Sequence, residues 1–539
     1  GYDKDGIVLD VEIKDSKITD VKVKRAKESE FATPAIQEIA KKVIATQSLD
    51  VDGISGASLT SEGTKEAIEE AVKKSGITLT TVTVQNVRTV EFPKETDVVV
   101  IGAGGAGLTS AIAAHEKGAK VILIEKTELL GGNTNYATAG LNAAGTKIQE
   151  KLGVKDSPEL FYEDTMKGGK NKNNKELVRV LVNNSSAIVD WLIERGADLS
   201  ELTSTGGQSA KRTHRPTGGT AVGPNIVAAL SKTAENEKID IRKGTKAIAL
   251  VKTKNRIVGV KVREIDGKEY TIKAKAVIVA TGGFGANAKM VEKYNPKLKG
   301  FGSTNSPAIV GDGIIMVEKV GGALVDMSEI QTYPTVVYNK TNMITEAVRG
   351  EGAILVNKDG KRFIDELETR DVVSKAILSQ KGKSAFLIFD EDIRTKLKAA
   401  DGYVKKGFAV EGTLEEIAAK IGTDAKTLEA TLNKYNEAVR DKVDSEFNKK
   451  TLPKELTGTK YYAIEVSPAV HHTMGGVRIN TNAEVLSKNG RPIKGLYAAG
   501  EVTGGIHGAN RIGGNAVADI TIFGKIAGEN AATYSKSVK

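Results

Sequence analysis

Apolar positions along this chain follow two periods, and each period marks a different kind of element. Residues 6–24, GIVLDVEIKDSKITDVKVK, alternate apolar and polar around Asp15-Ser16-Lys17, which predicts a β-hairpin. Thr33–Gln47 has helical spacing, and a second helix is predicted over Glu62–Lys74. Ile77–Pro93 is polar and extended, as a linker would be. Val98–Ile101 is an unbroken β-branched run, the pattern of a parallel strand buried on both faces. A helical stretch and a second apolar run, Val121–Ile124, complete a strand–helix–strand unit. Residues 156–240 read as mostly helical, with Trp191 as a core residue and His214 as a structural one. Ile239–Lys275 reads as several strands and Ala276–Ala280 as another buried strand. Leu496–Gly500 is a last strand, followed by a final helix from about Ala516 to Ala532.

These elements predict an α/β protein. At 539 residues the chain exceeds what one core supports. A small module over 1–76 and a linker over 77–94 precede a Rossmann-like domain in two parts, 95–327 and 473–539. Between the parts, 328–472 has a different mixture of segments and is expected to be an inserted domain.

Glycines placed at strand ends carry the chemistry. Gly102, Gly104 and Gly107 form G-x-G-x-x-G directly after the first strand. They allow a tight turn, close approach of a pyrophosphate, and close packing of helix on strand. Glu125, with Lys126 beside it, ends the second strand, where an acid would hold a ribose hydroxyl. Gly132, Asn133, Thr134 and Gly140 follow in two Gly-rich segments on which a flat ring can lie. Thr281, Gly282 and Gly283 repeat the strand-to-glycine logic, as do Gly500, Glu501 and Asn515 near the C-terminus. Asp52–Ser61, rich in Gly, Ser and Thr before a helix, reads equally as a phosphate cradle or as an N-capped helix entry.

Composition removes several function classes. The net charge of +10 is spread along the chain without interleaved aromatics, so nucleic acid is not expected as a partner. The absence of cysteine excludes disulfides, thiolate zinc sites, iron–sulfur clusters and C-x-x-C-H haem attachment within the chain. No metal site is expected. Gly1 opens inside a strand-like pattern, which raises the expectation of an exported protein, periplasmic or at the cell surface, shown without its export or anchor signal.

Several motifs in order resemble the soluble fumarate reductase flavoproteins, related to succinate dehydrogenase flavoprotein subunits. They are Gly102–Gly107, Gly131–Thr134, Thr281–Gly285, Thr345-Glu346-Ala347-Val348-Arg349-Gly350, Thr369-Arg370-Asp371, His471-His472-Thr473-Met474-Gly475-Gly476 and His507–Asn515. The Asp52–Ser61 stretch is similar to the flavinylation motif of FMN-binding domains. Both together resemble the FMN-fused urocanate, cinnamate, acrylate and fumarate reductases, and Thr345 and Glu346 keep the fumarate pattern.

The resemblance implies a Rossmann-like FAD-binding domain with an inserted α+β capping domain and a small N-terminal α+β FMN-binding domain. It implies FAD bound non-covalently, since no His lies in Gly132–Thr138, and FMN esterified to Ser58 by a flavin transferase, with Thr60 the runner-up. It implies an upstream respiratory electron donor at the membrane. The implied reaction is anaerobic reduction of a C=C bond conjugated to a carboxylate, by hydride from FAD and a proton from Arg370. Glu346 and Arg349 match a proton relay to that Arg. Arg511 matches the carboxylate clamp, His471 its helper, and Met343 and Thr345 substrate contacts.

The chain departs from the family in one place. It has Gln331-Thr332-Tyr333-Pro334-Thr335 where fumarate reductases have Gln-x-His-Pro-Thr. Tyr333 is expected to face the substrate and to favour an acrylate bearing a ring or neutral group over fumarate. Two other readings of the scaffold are a flavin-dependent oxidase or dehydrogenase of a small carboxylic or amino acid, and a non-enzymatic electron-transfer protein.

Overall fold

The computed structural model describes residues 6–26, 32–54, 57–82, 92–254 and 256–538. Ile7–Lys14 and Lys17–Ala26 form the expected antiparallel hairpin. Asp15 and Ser16 both take positive φ at its tip, the geometry whose twist matches that of the strands. Helices Thr33–Thr46 and Ser58–Ser75 pack beside it around Ile18, Ile39, Val43, Ile54, Ala57 and Ile68.

The second helix begins at Ser58, four residues before the expected Glu62. The hydroxyl of Ser61 accepts from Ile54 N and donates to Ala57 O, each at 2.9 Å. Side-chain bonds therefore tie the incoming loop to the first turn. Residues that read as loop formers serve the helix start from inside it.

An eight-stranded sheet forms the central body. Its parallel strands run in the order Asp240–Arg242, Val121–Ile124, Glu95–Ile101, Glu269–Val279 and Pro492–Ala498. Ile101, Ile124, Val279 and Ala498 end at one edge of the sheet, the edge at which open α/β sheets bind ligands. The final helix, Asn515–Ser537, packs against Gly105–Glu116. Small residues make this approach possible: Ser110 Oγ donates to Gly524 O at 2.8 Å across the contact. Trp191 is in the central core, and buried His214 is held by Arg212 O and Thr146 Oγ1, as a structural histidine would be.

A second apolar core gathers residues from Val337 to Val466. Its sheet pairs Ile330–Val337 and Ala385–Asp390 with the long strand Tyr461–Thr473. That strand buries Tyr462 in the second core and Val470 in the central one, so it joins the two. The boundary expected at 472 falls inside it. Among the described residues, no helix is long and apolar enough to cross a membrane, and no cluster of His, Asp and Glu could hold a metal.

The first turn of the dinucleotide unit tolerates no side chain at Gly107: a Cβ there would lie 1.7 Å from Gly102 O. Gly107→Ala must therefore push the turn away from the sheet edge. The expected cost is about 1–3 kcal/mol, with loss of flavin binding; thermal unfolding and retained flavin absorbance measure both.

Candidate active site

A single elongated cavity opens along the sheet edge, with an empty volume of about 1670 Å³ that includes its open mouth. At one end Glu125 accepts from Ala103 N at 2.9 Å and from Thr127 N at 2.8 Å. This fixes the carboxylate against the Gly102 turn, where φ is +99° and a Cβ would meet Ala280 O. Gly104 precedes the helix Gly105–Glu116, whose first amide, Gly105 N, donates to Thr134 Oγ1 at 2.9 Å. Lys126 pairs with Asp312 at 2.7 Å.

The middle of the cavity is lined by Gly132, Asn133, Thr134, Gly140, Thr281, Gly282 and Glu501. The hydroxyl of Thr281 is buried and has no hydrogen-bond partner among the described residues. Burial raises the pKa of Glu501 above the ordinary carboxylate range, against the bonds it accepts from Thr473 and Asn133. A ribose-type acid at a strand end and an orphaned hydroxyl along a glycine-lined trough fit FAD.

Four residues expected at the flavin do not line this cavity. Gly107 and Gly283 are where backbone or side chains pass too close for a Cβ, and Gly500 packs against Ala106. Asn515 is buried one layer behind, donating to Thr165 Oγ1 and accepting from Asn142. It holds the cavity wall rather than the ligand.

The far end collects charge. Arg370 begins the helix Arg370–Leu378 and donates from Nε to Glu346 Oε1 at 2.5 Å. Its Nη1 donates to Gln331 Oε1 at 3.3 Å. Glu346 begins the helix Glu346–Gly350, and Arg349 lies one turn on, 3.8 Å from the same oxygen. Burial alone would raise the Glu346 pKa, but Arg370 and Arg349 outweigh it and hold the carboxyl below its usual range. Arg349 donates to Glu366 O at 2.8 Å, while its Nε and Nη2 have no hydrogen-bond partner among the described residues. Arg370, which lines the cavity, is thus hydrogen-bonded to Glu346, and Arg349 approaches the same carboxylate only as an ion pair.

Arg511 enters from the other body. It is 5% exposed, its Nε is unpartnered, and among the described residues it has no ion pair. Burial and the nearby Arg370 push its pKa down to about 9. His471 is bonded through Nδ1 to Thr304 Oγ1 at 2.7 Å. Burial, Arg370 and Arg511 keep its pKa well below the usual value, so it is a neutral imidazole. Arg370, His471, His472, Met343 and Arg511 all line the cavity.

Two expected substrate contacts are placed differently. Thr345 does not line the cavity; its side chain caps the helix bearing Glu346, accepting from Ala347 N. Tyr333 is 1% exposed, and its hydroxyl donates to Ile344 O at 2.8 Å. Its ring lies 4.9 Å from the Arg370 guanidinium and 5.0 Å from the His471 ring. Tyr333 supports the groups that face the cavity. It cannot face a substrate itself, because the strand turns its side chain behind them.

Sequence reasoning passed over Gln331 and Thr304. Gln331 donates to Asn510 Oδ1 and Arg511 O while accepting from Arg370, so it couples the two arginines. Its signals were its retained place as the Gln of the Gln-x-His-Pro-Thr pattern and its position two residues before Tyr333, on the same face of a strand. Thr304 lay in no motif. In the N-terminal module the side chain of Ser58 lies outside the described residues, and Thr60 is buried at 4% exposure, unsuited to carry a surface flavin.

The FAD binding domain family matches residues 97–517, and the FMN-binding domain family matches residues 1–73. The NADH:fumarate oxidoreductase of Klebsiella pneumoniae is 44% identical over 538 residues, covering 99% of this chain and 58% of that protein. The chain thus spans little more than half of that relative. The fumarate reductase (cytochrome) of Shewanella frigidimarina is 51% identical over 442 residues, 82% of this chain and 77% of that protein. The urocanate reductase of Eggerthella lenta is 36% identical over 523 residues, 93% of this chain and 86% of that one. The open conformation of a flavocytochrome c3 fumarate reductase superposes with a TM-score of 0.71 at 44% identity, covering 82% of this chain and 78% of that one. The chain belongs to the fumarate reductase flavoprotein family, with an FAD binding domain preceded by an FMN-binding domain.

Proposed function

We propose that the protein reduces the C=C bond of a small α,β-unsaturated carboxylate. One observation carries this reading: Arg511 is a buried guanidinium without an acid partner, beside Arg370, which has one. An unpaired buried charge costs several kcal/mol, and an incoming carboxylate relieves that cost.

FAD, when bound, supplies the hydride. The chain's own residues do the rest. Arg511 binds the carboxylate through its planar fork, and neutral His471, held by Thr304, orients it. Fixed cations stabilise the charge that builds on the carboxylate as one alkene carbon is reduced. Arg370 gives a proton to the other carbon. A neutral guanidine is too strong a base to persist there, so the Glu346 carboxylate takes up a proton and passes it to Nε of Arg370; Arg349, 3.8 Å away, hands Glu346 that proton and is itself reprotonated from solvent.

For the substrate, an acrylate bearing a ring or neutral group is favoured, because the Tyr333 hydroxyl is committed to Ile344 O and binds no second carboxylate. Fumarate is the second reading, favoured by relatives of that name at 44% and 51% identity. We further place FMN on Ser58 through a flavin transferase, electrons arriving from a membrane respiratory donor, and the protein outside the cytoplasm. The match of residues 1–73 supports the FMN, and the lack of cysteine suits an exported chain.

Anaerobic oxidation of reduced viologen tests the reading, with fumarate, urocanate, cinnamate, acrylate and methacrylate compared on flavin-loaded protein. Turnover with at least one is expected, and kcat/KM highest for a ring-bearing or neutral acrylate; none with any would overturn the reaction class. Arg370→Ala is expected to lower kcat by about 10²–10⁴-fold with FAD retained. Arg511→Met is expected to weaken carboxylate binding by about 2–5 kcal/mol, read as the loss of carboxylate-induced change in the flavin absorbance.

A further inference from the structure

Leu129 lies on the loop that follows Glu125 and lines the FAD cavity. On its other side it packs against the apolar core of the N-terminal module. That core includes Ile54 and Ala57, and Ala57 immediately precedes Ser58. The neighbouring Glu128 meets Lys42 of the helix Thr33–Thr46, Oε1 to Nζ at 3.4 Å. Lys42 is also held to the module's own backbone, donating to Asp52 O at 3.3 Å. One short stretch of chain is thus a wall of the flavin cavity and a seat for the module.

We propose that Glu128 and Leu129 form a latch through which docking of the N-terminal module and occupancy of the FAD cavity reinforce one another. The physical reason is the sharing of one side chain. Leu129 adopts one position when the module core covers it, and that position shapes the cavity wall. A flavin that selects this position stabilises the docked module. Linkage then requires the docked module to raise flavin affinity by the same factor. The contact is small: no pair of helices or strands from the two parts packs extensively among the described residues. The Lys42–Glu128 pair is partly exposed, with side chains 33% and 24% accessible. A contact of this size holds the module without fixing it permanently, so its strength is set by what the cavity contains.

Lys42→Glu is the informative variant, because residue 42 does not line the cavity and its replacement sets two acids against each other. Full-length protein is stripped of FAD and titrated, with flavin fluorescence quenching as the readout. The expected result is a rise in the FAD dissociation constant of about threefold to tenfold. Small-angle scattering is expected to show a larger radius of gyration for Lys42→Glu, and for the unaltered protein on removal of FAD. The double variant Lys42→Glu/Glu128→Lys is expected to restore both affinity and compactness. Equal FAD affinity in the unaltered protein and Lys42→Glu, or a radius of gyration unmoved by FAD, overturns the proposal. A weakening that the double reversal does not repair also overturns it, since it then reflects damage to the module. The readouts are flavin binding and shape, so they stand or fall apart from the substrate assignment.

Discussion

Glu346 and Arg370 meet at 2.5 Å on the seam between the two large cores, and the geometry of the site depends on this buried pair. Glu346 brings with it the helix that carries Arg349, and Arg370 brings the helix that Thr369 opens. Both helices start at the pair, so each charged residue sits where its own helix begins and its side chain is short of alternatives. Separating the two would leave buried charges uncompensated, at a cost of about 3–5 kcal/mol. Gln331 then extends the arrangement to the other body by bonding Arg370 and the Arg511 backbone at once. The result is an asymmetric pair of guanidiniums. Arg370 is neutralised by an acid and fit to exchange protons, while Arg511 is left unpaired and fit to bind an anion.

The dinucleotide unit was legible because its information is local. A strand, a glycine turn, a helix and an acid within one short stretch state their own geometry, and the structure places Gly102, Gly104 and Glu125 where that grammar requires. The residues we propose for the proton relay could be named only through resemblance. Nothing in the run Glu366–Asp371 distinguishes Arg370 from an exposed ion pair until Glu346 folds against it from 24 residues away. Tyr333 was misread for a related reason. Its motif fixes the position, but the orientation is set by Ile344 O and by the rings and cations packed around it. Asn515 was drawn to the flavin by its glycine-rich neighbours, yet Asn142 and Thr165, distant in sequence, claim its amide.

The same contrast holds in the small module. Alternation predicted the hairpin because one face is covered and one is solvated. The helix start at Ser58 was missed because Ser and Thr favour loops by propensity and serve helix ends by hydrogen bonding. Only the Ser61 bonds to Ile54 and Ala57 decide between the two. The contact of Glu128 with this module could not be read from sequence, since it joins positions 86 residues apart whose patterns are each satisfied locally.

On the proposed mechanism Glu346 passes protons to Arg370 rather than merely holding it. Glu346→Gln keeps the shape and a hydrogen-bonding oxygen but cannot be recharged as an acid. The decisive measurement is kcat of this variant under saturating reductant and substrate, with FAD content and carboxylate affinity measured on the same sample. The account predicts a fall in kcat of about 10²-fold or more while both binding measures stay near their starting values. Turnover within a few-fold of the unaltered protein, with binding intact, would contradict it.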